Sequence, residues 1–186
     1  QNIVVTGSIS VDDANLLSAT TTGTVTASIV TTETVDSLLN LAGTNAYTIV
    51  ISSADATVTA SILNTLDAKT TVTIDAGAIT ELSGTYAEVT ALYGSAGVDN
   101  LGDEAISISD ALTVTQANEI ESLTTAVVTA SIVTTETVDS LLNLAGTNAY
   151  TIVISSDDAA VSADDLSKIN ALTTIAVDLT NVTSIT

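Results

Sequence analysis

The stretch Val25–Ser53, VTASIVTTETVDSLLNLAGTNAYTIVISS, recurs without a single change as Val128–Ser156. Two identical blocks set 103 positions apart constrain this chain more than any local motif, because one string of residues must be accommodated twice. The match continues outside the blocks. Ile3, Val5, Val11, Ala14 and Asn15 fall on Ile106, Ile108, Val114, Ala117 and Asn118; Val58, Leu63, Leu66 and Ile74 fall on Val161, Leu166, Ile169 and Val177. The chain therefore reads as a single domain, residues 1–186, made of two similar halves, about 1–103 and 104–186.

Each half divides again. β-branched segments with period-two alternation centre near Val4, Thr26, Val50, Thr73, Ser107, Thr129, Val153 and Ala176. In Tyr47–Ser52 the side chains of Ile49 and Ile51 share one face, as Ile106 and Ile108 do in Ala105–Ser109. Between these segments the period changes to that of a helix: Val35, Leu38 and Leu39; Ile62, Leu63 and Leu66; Val89, Leu92 and Tyr93; Leu166, Ile169 and Leu172. Ser162–Asp165 and Thr85–Glu88 resemble capping boxes, which mark helix starts. Helices of about eight to ten residues are expected, too short to stand without packing.

The unit predicted is a strand, a short extended arc and a brief helix. Stacked parallel strands joined by helical crossovers wind right-handed. The fold class expected is α/β, a right-handed parallel β/α solenoid of about eight coils of ~23 residues, in the general manner of leucine-rich repeats. Strands stack at about 4.8 Å and helices at about 8–10 Å, so the helical side would be convex. The alternative is an all-β parallel solenoid in which the intervening segments are turns. The step from Thr73 to Ser107 is longer than the rest and predicts an irregular loop over Gly94–Glu104.

Composition fits a narrow, repetitive core. There is no Phe, Trp, Met, Pro or Cys, while Thr occupies 35 positions and the apolar material is Ile, Val, Leu and Ala. Such a core needs small branched side chains in equivalent slots rather than large aromatics. Twenty-two acidic residues against two basic ones, Lys69 and Lys168, give a formal net charge of −20. That balance argues against binding nucleic acid or anionic membranes, both of which need clustered cations. It favours solubility and draws divalent cations. No apolar run approaches the roughly 18 residues of a membrane span. The start at Gln1 implies that a targeting signal has been removed or lies outside this piece.

The chain offers little for catalysis. It lacks His, Cys and Arg. Ser167 adjoins Lys168, but helical neighbours do not face one another. The pairs Asp12-Asp13, Asp157-Asp158 and Asp164-Asp165 suit helix starts better than a glycosidase. Asp99, Asn100, Asp103 and Glu104 place four oxygen donors in the irregular loop and raise calcium, although their spacing follows no calcium-loop signature. Thr-Val-Thr at Thr24–Thr26, Thr57–Thr59, Thr71–Thr73 and Thr113–Thr115 raises an ice-binding ladder, against which stand Val127 and Ala176 at the places equivalent to Thr24 and Thr73. Tyr47 and Tyr150 sit at one repeat position and read as structural. Asn181-Val-Thr183 is a lone glycosylation sequon. No catalytic, cofactor or metal residues are assigned.

Thr70–Ala76, Leu82–Val89 and Asn64–Thr71 resemble the Thr/Ala-rich tandem repeats of giant bacterial cell-surface or adhesin-like proteins of cyanobacteria and other aquatic bacteria. The resemblance implies an extracellular, structural or adhesive setting and carries no catalytic residues. The expectation is a non-enzymatic structural repeat module at the cell surface: an adhesin stalk, a surface layer or a filament subunit. Its partners would be neighbouring repeats or like subunits end to end. A ligand-binding solenoid recognising calcium, polysaccharide or ice is the alternative.

Overall fold

Short parallel strands alternate with seven α-helices, and the chain is mixed α/β. The computed structural model describes residues 1–186 and divides into two compact units. Unit 1 comprises residues 1–82 and 88–101, and unit 2 comprises 83–87 and 102–186. The first stretch of chain runs β1 (Ile3–Ile9), α1 (Val11–Thr20), β2 (Val25–Ile29), α2 (Val35–Leu38), β3 (Ala46–Thr48), β4 (Thr57–Thr59), α3 (Ala60–Asp67) and β5 (Ile74–Asp75). It continues through β6 (Glu81–Gly84), α4 (Tyr86–Gly94) and β7 (Val98–Asp99). The second runs β8 (Ala105–Leu112), α5 (Val114–Glu121), β9 (Val128–Ile132), α6 (Val138–Leu141), β10 (Ala149–Thr151), β11 (Ala160–Val161), α7 (Ala163–Ala171) and β12 (Ser184–Ile185). One-turn 3₁₀ helices at Ser53–Asp55 and Ser156–Asp158 occupy equivalent places.

The two units repeat the same register. In unit 1, Ile3 pairs with Val25, Thr26 with Ala46, Asn45 with Thr70, and Ile74 with Val98, all parallel. In unit 2, Ile106 pairs with Val128, Thr129 with Ala149 and Asn148 with Thr173, the copies of the first three pairs; Ala160 also pairs with Ser184, which is not the copy of Ile74 with Val98. A bulge in β1 between Val4 and Ser8, where Gly7 takes a φ of 107°, shortens the step to β2 by two residues. β8 carries the same irregularity between Ser107 and Ala111.

Helix starts follow one rule. Ser10, Thr34, Thr59, Thr113, Thr137 and Ser162 are N-caps whose hydroxyls accept a backbone N–H from the first turn. Each such cap contributes about 1 kcal/mol. The full reciprocal capping box forms at Thr113 and Gln116, while Ser162 receives Asp165 N–H and donates to that residue's carboxylate.

Caps also reach across one repeat. Glu33 accepts the first N–H of α1 at Val11, and Glu136 accepts that of α5 at Val114. Asp55 and Asp158 do the same for Val35 and Val138. Buried Asn45 accepts Val25 N–H at 2.9 Å and donates to the Tyr47 hydroxyl at 3.1 Å; Asn148 makes the matching bonds to Val128 and Tyr150. Thr70 and Thr173, also buried, donate to the carbonyls of Tyr47 and Tyr150 at 2.6 Å. These side chains satisfy backbone groups where strands of two or three residues are too short to do so.

Leu38, Leu41, Ile49, Ile51, Leu63, Leu66 and Ile74 fill the core of unit 1, with Tyr47 the largest side chain and fully buried. Unit 2 reuses the pattern through Leu141, Leu144, Ile152, Ile154 and Tyr150.

Several expectations need correction. α2 and α6 are single turns of four residues, because only 20 positions separate Thr26 from its partner Ala46. The strand expected over Tyr47–Ser52 ends at Thr48, with Val50 making only an isolated bridge to Asp75. The strand expected near Thr73 is only the two residues of β5, and near Ala176 no strand forms, only isolated bridges at Thr173 and Asp178. Gly94–Glu104 is not wholly irregular: Val98–Asp99 pairs with Ile74–Asp75, so the regular spacing persists to Val98 and the irregularity is confined to Asn100–Glu104.

Two outcomes test this account. Asn45→Ala leaves the buried Val25 N–H without a partner and is expected to cost about 1–3 kcal/mol in urea unfolding, more than Tyr47→Phe. Hydrogen bonds from Ser37 and Val11 hold the Glu33 carboxyl below its ordinary range. Its contribution is present above the ordinary glutamate pKa of about 4.3 and is lost as pH falls through the lower folded value. Glu33→Gln is therefore expected to flatten the acid limb of the stability profile.

Candidate functional site

Several of the residues with chemical potential are bonded to the backbone or to one another. In unit 1, Asp99 lies in register with Asp75 on the paired strands β7 and β5. Like charges set opposite one another repel. Asn100 relieves this pair: its backbone N–H donates to Asp99, and its amide donates to Asp75 at 2.9 Å. Asn100 adopts a left-handed φ of 64° to do so. Hydrogen bonds from Asn100 and from Gly77 N–H hold the Asp75 carboxyl below its usual range.

In unit 2, Glu104 is fully buried, and its Oε2 accepts the N–H groups of Gly102 (2.8 Å) and Asp103 (3.2 Å). Its Oε1 has no hydrogen-bond partner. Its backbone carbonyl accepts the Thr124 hydroxyl at 2.6 Å, and Asp103 is exposed. No group of three acidic side chains converges to hold a metal ion.

The acidic pairs fall at helix starts. Asp12 and Asp13 occupy the first turn of α1, and Asp164 and Asp165 that of α7. Asp158 is the cross-repeat cap already described. Lys168 reaches Asp164 at 2.5 Å and Asp165 at 3.3 Å, and these bonds raise the pKa of Lys168; the Ser162 hydroxyl first and Lys168 second lower that of Asp165. Ser167 is exposed beside it. The second lysine, Lys69, donates to the Leu41 carbonyl.

The Thr-Val-Thr triplets do not form one ladder. Thr26 lies on β2, Thr57–Thr59 makes up β4 with Thr59 as the α3 N-cap, Thr71–Thr73 precedes β5, and Thr113 caps α5. The sequon amide of Asn181 donates to the Ile154 carbonyl. A shallow depression in unit 2 is lined by Glu121, Thr124, Thr125 and Thr147 among others. The three threonine hydroxyls there donate to the carbonyls of Glu104, Gly102 and Ala171. No helix is long and apolar enough to cross a membrane.

The two core tyrosines differ in surroundings. Burial raises the Tyr47 phenol, opposed by hydrogen bonds from Asn45 and Ser18. At the position of Ser18 the second half carries Glu121. Burial first and the Glu121 charge second push the Tyr150 phenol up to about 12, against the Asn148 hydrogen bond. Outside the core, the Tyr86 hydroxyl donates to Glu119.

The cross-repeat residues Glu33, Asn45, Asp55 and Thr70 carry most of the polar organisation, yet they were not singled out by sequence. Their only signal is recurrence 103 residues later as Glu136, Asn148, Asp158 and Thr173. The chain matches no known family, no curated protein and no solved structure.

A raised tyrosine pKa contributes stability that is present below about pH 10 and lost as pH rises toward the folded value. Glu121→Ser removes the repulsion at Tyr150. Alkaline titration of phenolate absorbance is expected to show the last tyrosine ionising earlier than in the parent protein.

Proposed function

We propose that this chain is a non-catalytic structural repeat module, built as a right-handed parallel β/α solenoid of about eight coils of ~23 residues. It would serve in an extracellular or cell-surface bacterial protein, as an adhesin stalk, a surface layer or a filament subunit. The supporting observation is the recurrence of one set of bonds at one spacing: Glu33–Val11, Asp55–Val35 and Asn45–Val25 in unit 1, and Glu136–Val114, Asp158–Val138 and Asn148–Val128 in unit 2. Such nearest-neighbour contacts make a repeat array stable by addition rather than by global closure.

The polar inventory favours a structural role. Several carboxylates and hydroxyls, among them Glu33, Asp55, Thr70 and Thr124, are bound to backbone N–H and carbonyl groups. The extracellular setting rests on the likeness to Thr/Ala-rich surface repeats and on a surface charge that costs little in saline water, where the screening length is short. The alternative, a solenoid binding calcium, polysaccharide or ice, has less support, because the threonine triplets occupy unlike positions.

Duplicating residues 25–127 in tandem joins Val127 to Val25, the residue identical to Val128. The longer chain is expected to keep the parent's per-residue circular dichroism and to unfold at a higher urea midpoint; loss of secondary structure would sink the solenoid reading. Five millimolar calcium, as an order-of-magnitude probe well above the weakest extracellular sites, is expected to leave the thermal midpoint unchanged. A rise of several degrees would favour the ligand-binding alternative.

A further inference from the structure

Glu121 departs from the repeat at a point where its neighbours do not. Its copy in unit 1 is Ser18, whose hydroxyl accepts an amide proton of buried Asn45 at 3.2 Å. Asn45 also donates to the Ala42 carbonyl and to the Tyr47 hydroxyl. In unit 2 the amide of Asn148 donates to the Tyr150 hydroxyl at 3.3 Å and makes no bond to Glu121. The carboxylate is nevertheless close: a Cβ added at Gly146 would lie 2.6 Å from Glu121 Oε1 and 3.1 Å from Asn148 Nδ2. Glutamate in the place of serine thus removes a bond and introduces a charge.

That charge is poorly placed for stability. Glu121 is the last residue of α5, where the negative end of the helix dipole disfavours an anion. After burial, it is also the second cause opposing ionisation of Tyr150. Asp67 ends α3 in the same way but accepts the Ser95 hydroxyl at 2.7 Å. Glu121 has no such partner. Both lysines are engaged elsewhere, Lys69 on the Leu41 carbonyl and Lys168 on Asp164 and Asp165. A local rule broken without a compensating bond marks a place selected for something other than folding.

Glu121 lines the depression of unit 2, a space of about 450 Å³, and is the only charged residue in its wall. Thr124, Thr125 and Thr147 beside it commit their hydroxyl protons to the carbonyls of Glu104, Gly102 and Ala171. Toward a ligand these hydroxyls can only accept. A carboxylate, hydroxyl lone pairs and a helix C-terminus together select a cation that brings its own donors. One carboxylate is too little charge for calcium, which gathers about six to eight oxygen ligands. We propose that this depression binds a small molecule through a primary ammonium group, with Glu121 as the counter-charge and the threonine hydroxyls as acceptors. Ala126 and Val127 in the same wall offer apolar contact to the carbons that carry the ammonium. The site goes beyond the structural-module reading and does not depend on it.

Titration of the ¹⁵N-labelled chain with n-butylammonium at neutral pH, followed by amide chemical shifts at constant ionic strength, tests this. Tetramethylammonium is the control, an isomeric cation of the same charge with no N–H to donate. Saturable shifts are expected at Thr124–Val127 and at the Asn148 side-chain amide, half-complete at about 10 mM or below for so small a ligand. The copies Thr21–Thr24 and Asn45 are expected to stay still, since Ser18 supplies no charge there. Glu121→Ser, which restores the residue of unit 1, is expected to weaken the response at least tenfold. Glu121→Gln keeps the shape without the charge and is expected to do the same. Absence of shifts in the parent overturns the proposal. So does an equal response to tetramethylammonium, an equal response at the unit 1 copies, or a response that survives in either folded variant. None of these outcomes touches the tandem-duplication result, on which the repeat-module reading stands or falls.

Discussion

Backbone polar groups at the ends of very short strands must find partners, and this constraint governs the structure. A strand of two or three residues leaves most of its N–H and C=O groups beyond the reach of a regular ladder. In this chain the gap is closed by side chains from the neighbouring repeat: a carboxylate on the first N–H of a helix, an asparagine on the first N–H of a strand, and a threonine hydroxyl on a strand carbonyl. An unmet buried donor costs about 1–3 kcal/mol. These positions therefore allow few substitutes, since the side chain must have both the right length and the right polarity.

The same constraint accounts for the odd composition. Six helices each begin on a serine or threonine. Further threonines bind carbonyls one repeat away, as Thr44, Thr80 and Thr183 do. Threonine also suits the exposed face of a strand. Aromatics are scarce because repeated slots of one size are filled by Ile, Leu and Val. Tyr47 and Tyr150 are admitted where a buried asparagine and a helix carbonyl can meet the hydroxyl.

What could be read from sequence was whatever repeats or alternates. The duplication, the alternation in Ala105–Ser109 and the apolar stripes of α3 and α7 all follow from side-chain burial, which leaves a period. Strands of two residues leave none, so β7, β11 and β12 were hidden, and β7 lay in a stretch taken for a loop. Asn45 and Glu33 carry no local signal in the sequence. Their partners lie about twenty positions away along the chain, a separation that local pattern cannot reveal. Asp99 and Glu104 are legible in the sequence as oxygen-bearing side chains but not as acceptors already engaged by neighbouring backbone N–H groups.

The acidic surplus then has two different physical meanings. At short range, a carboxylate at a helix start meets unpaired N–H groups and the positive end of the helix dipole, and it is stabilising. At long range nothing offsets it, for α1 to α6 carry no basic residue in their last turns. Local gain and global repulsion are separated by distance, and salt acts unequally on them. A hydrogen-bonded cap about 3 Å long is barely screened, whereas repulsion across a molecule falls away beyond the roughly 8 Å screening length of physiological salt. Raising ionic strength thus removes the cost of the acid caps while leaving most of their benefit. Carboxylates that join neighbouring repeats therefore keep their benefit as ionic strength rises.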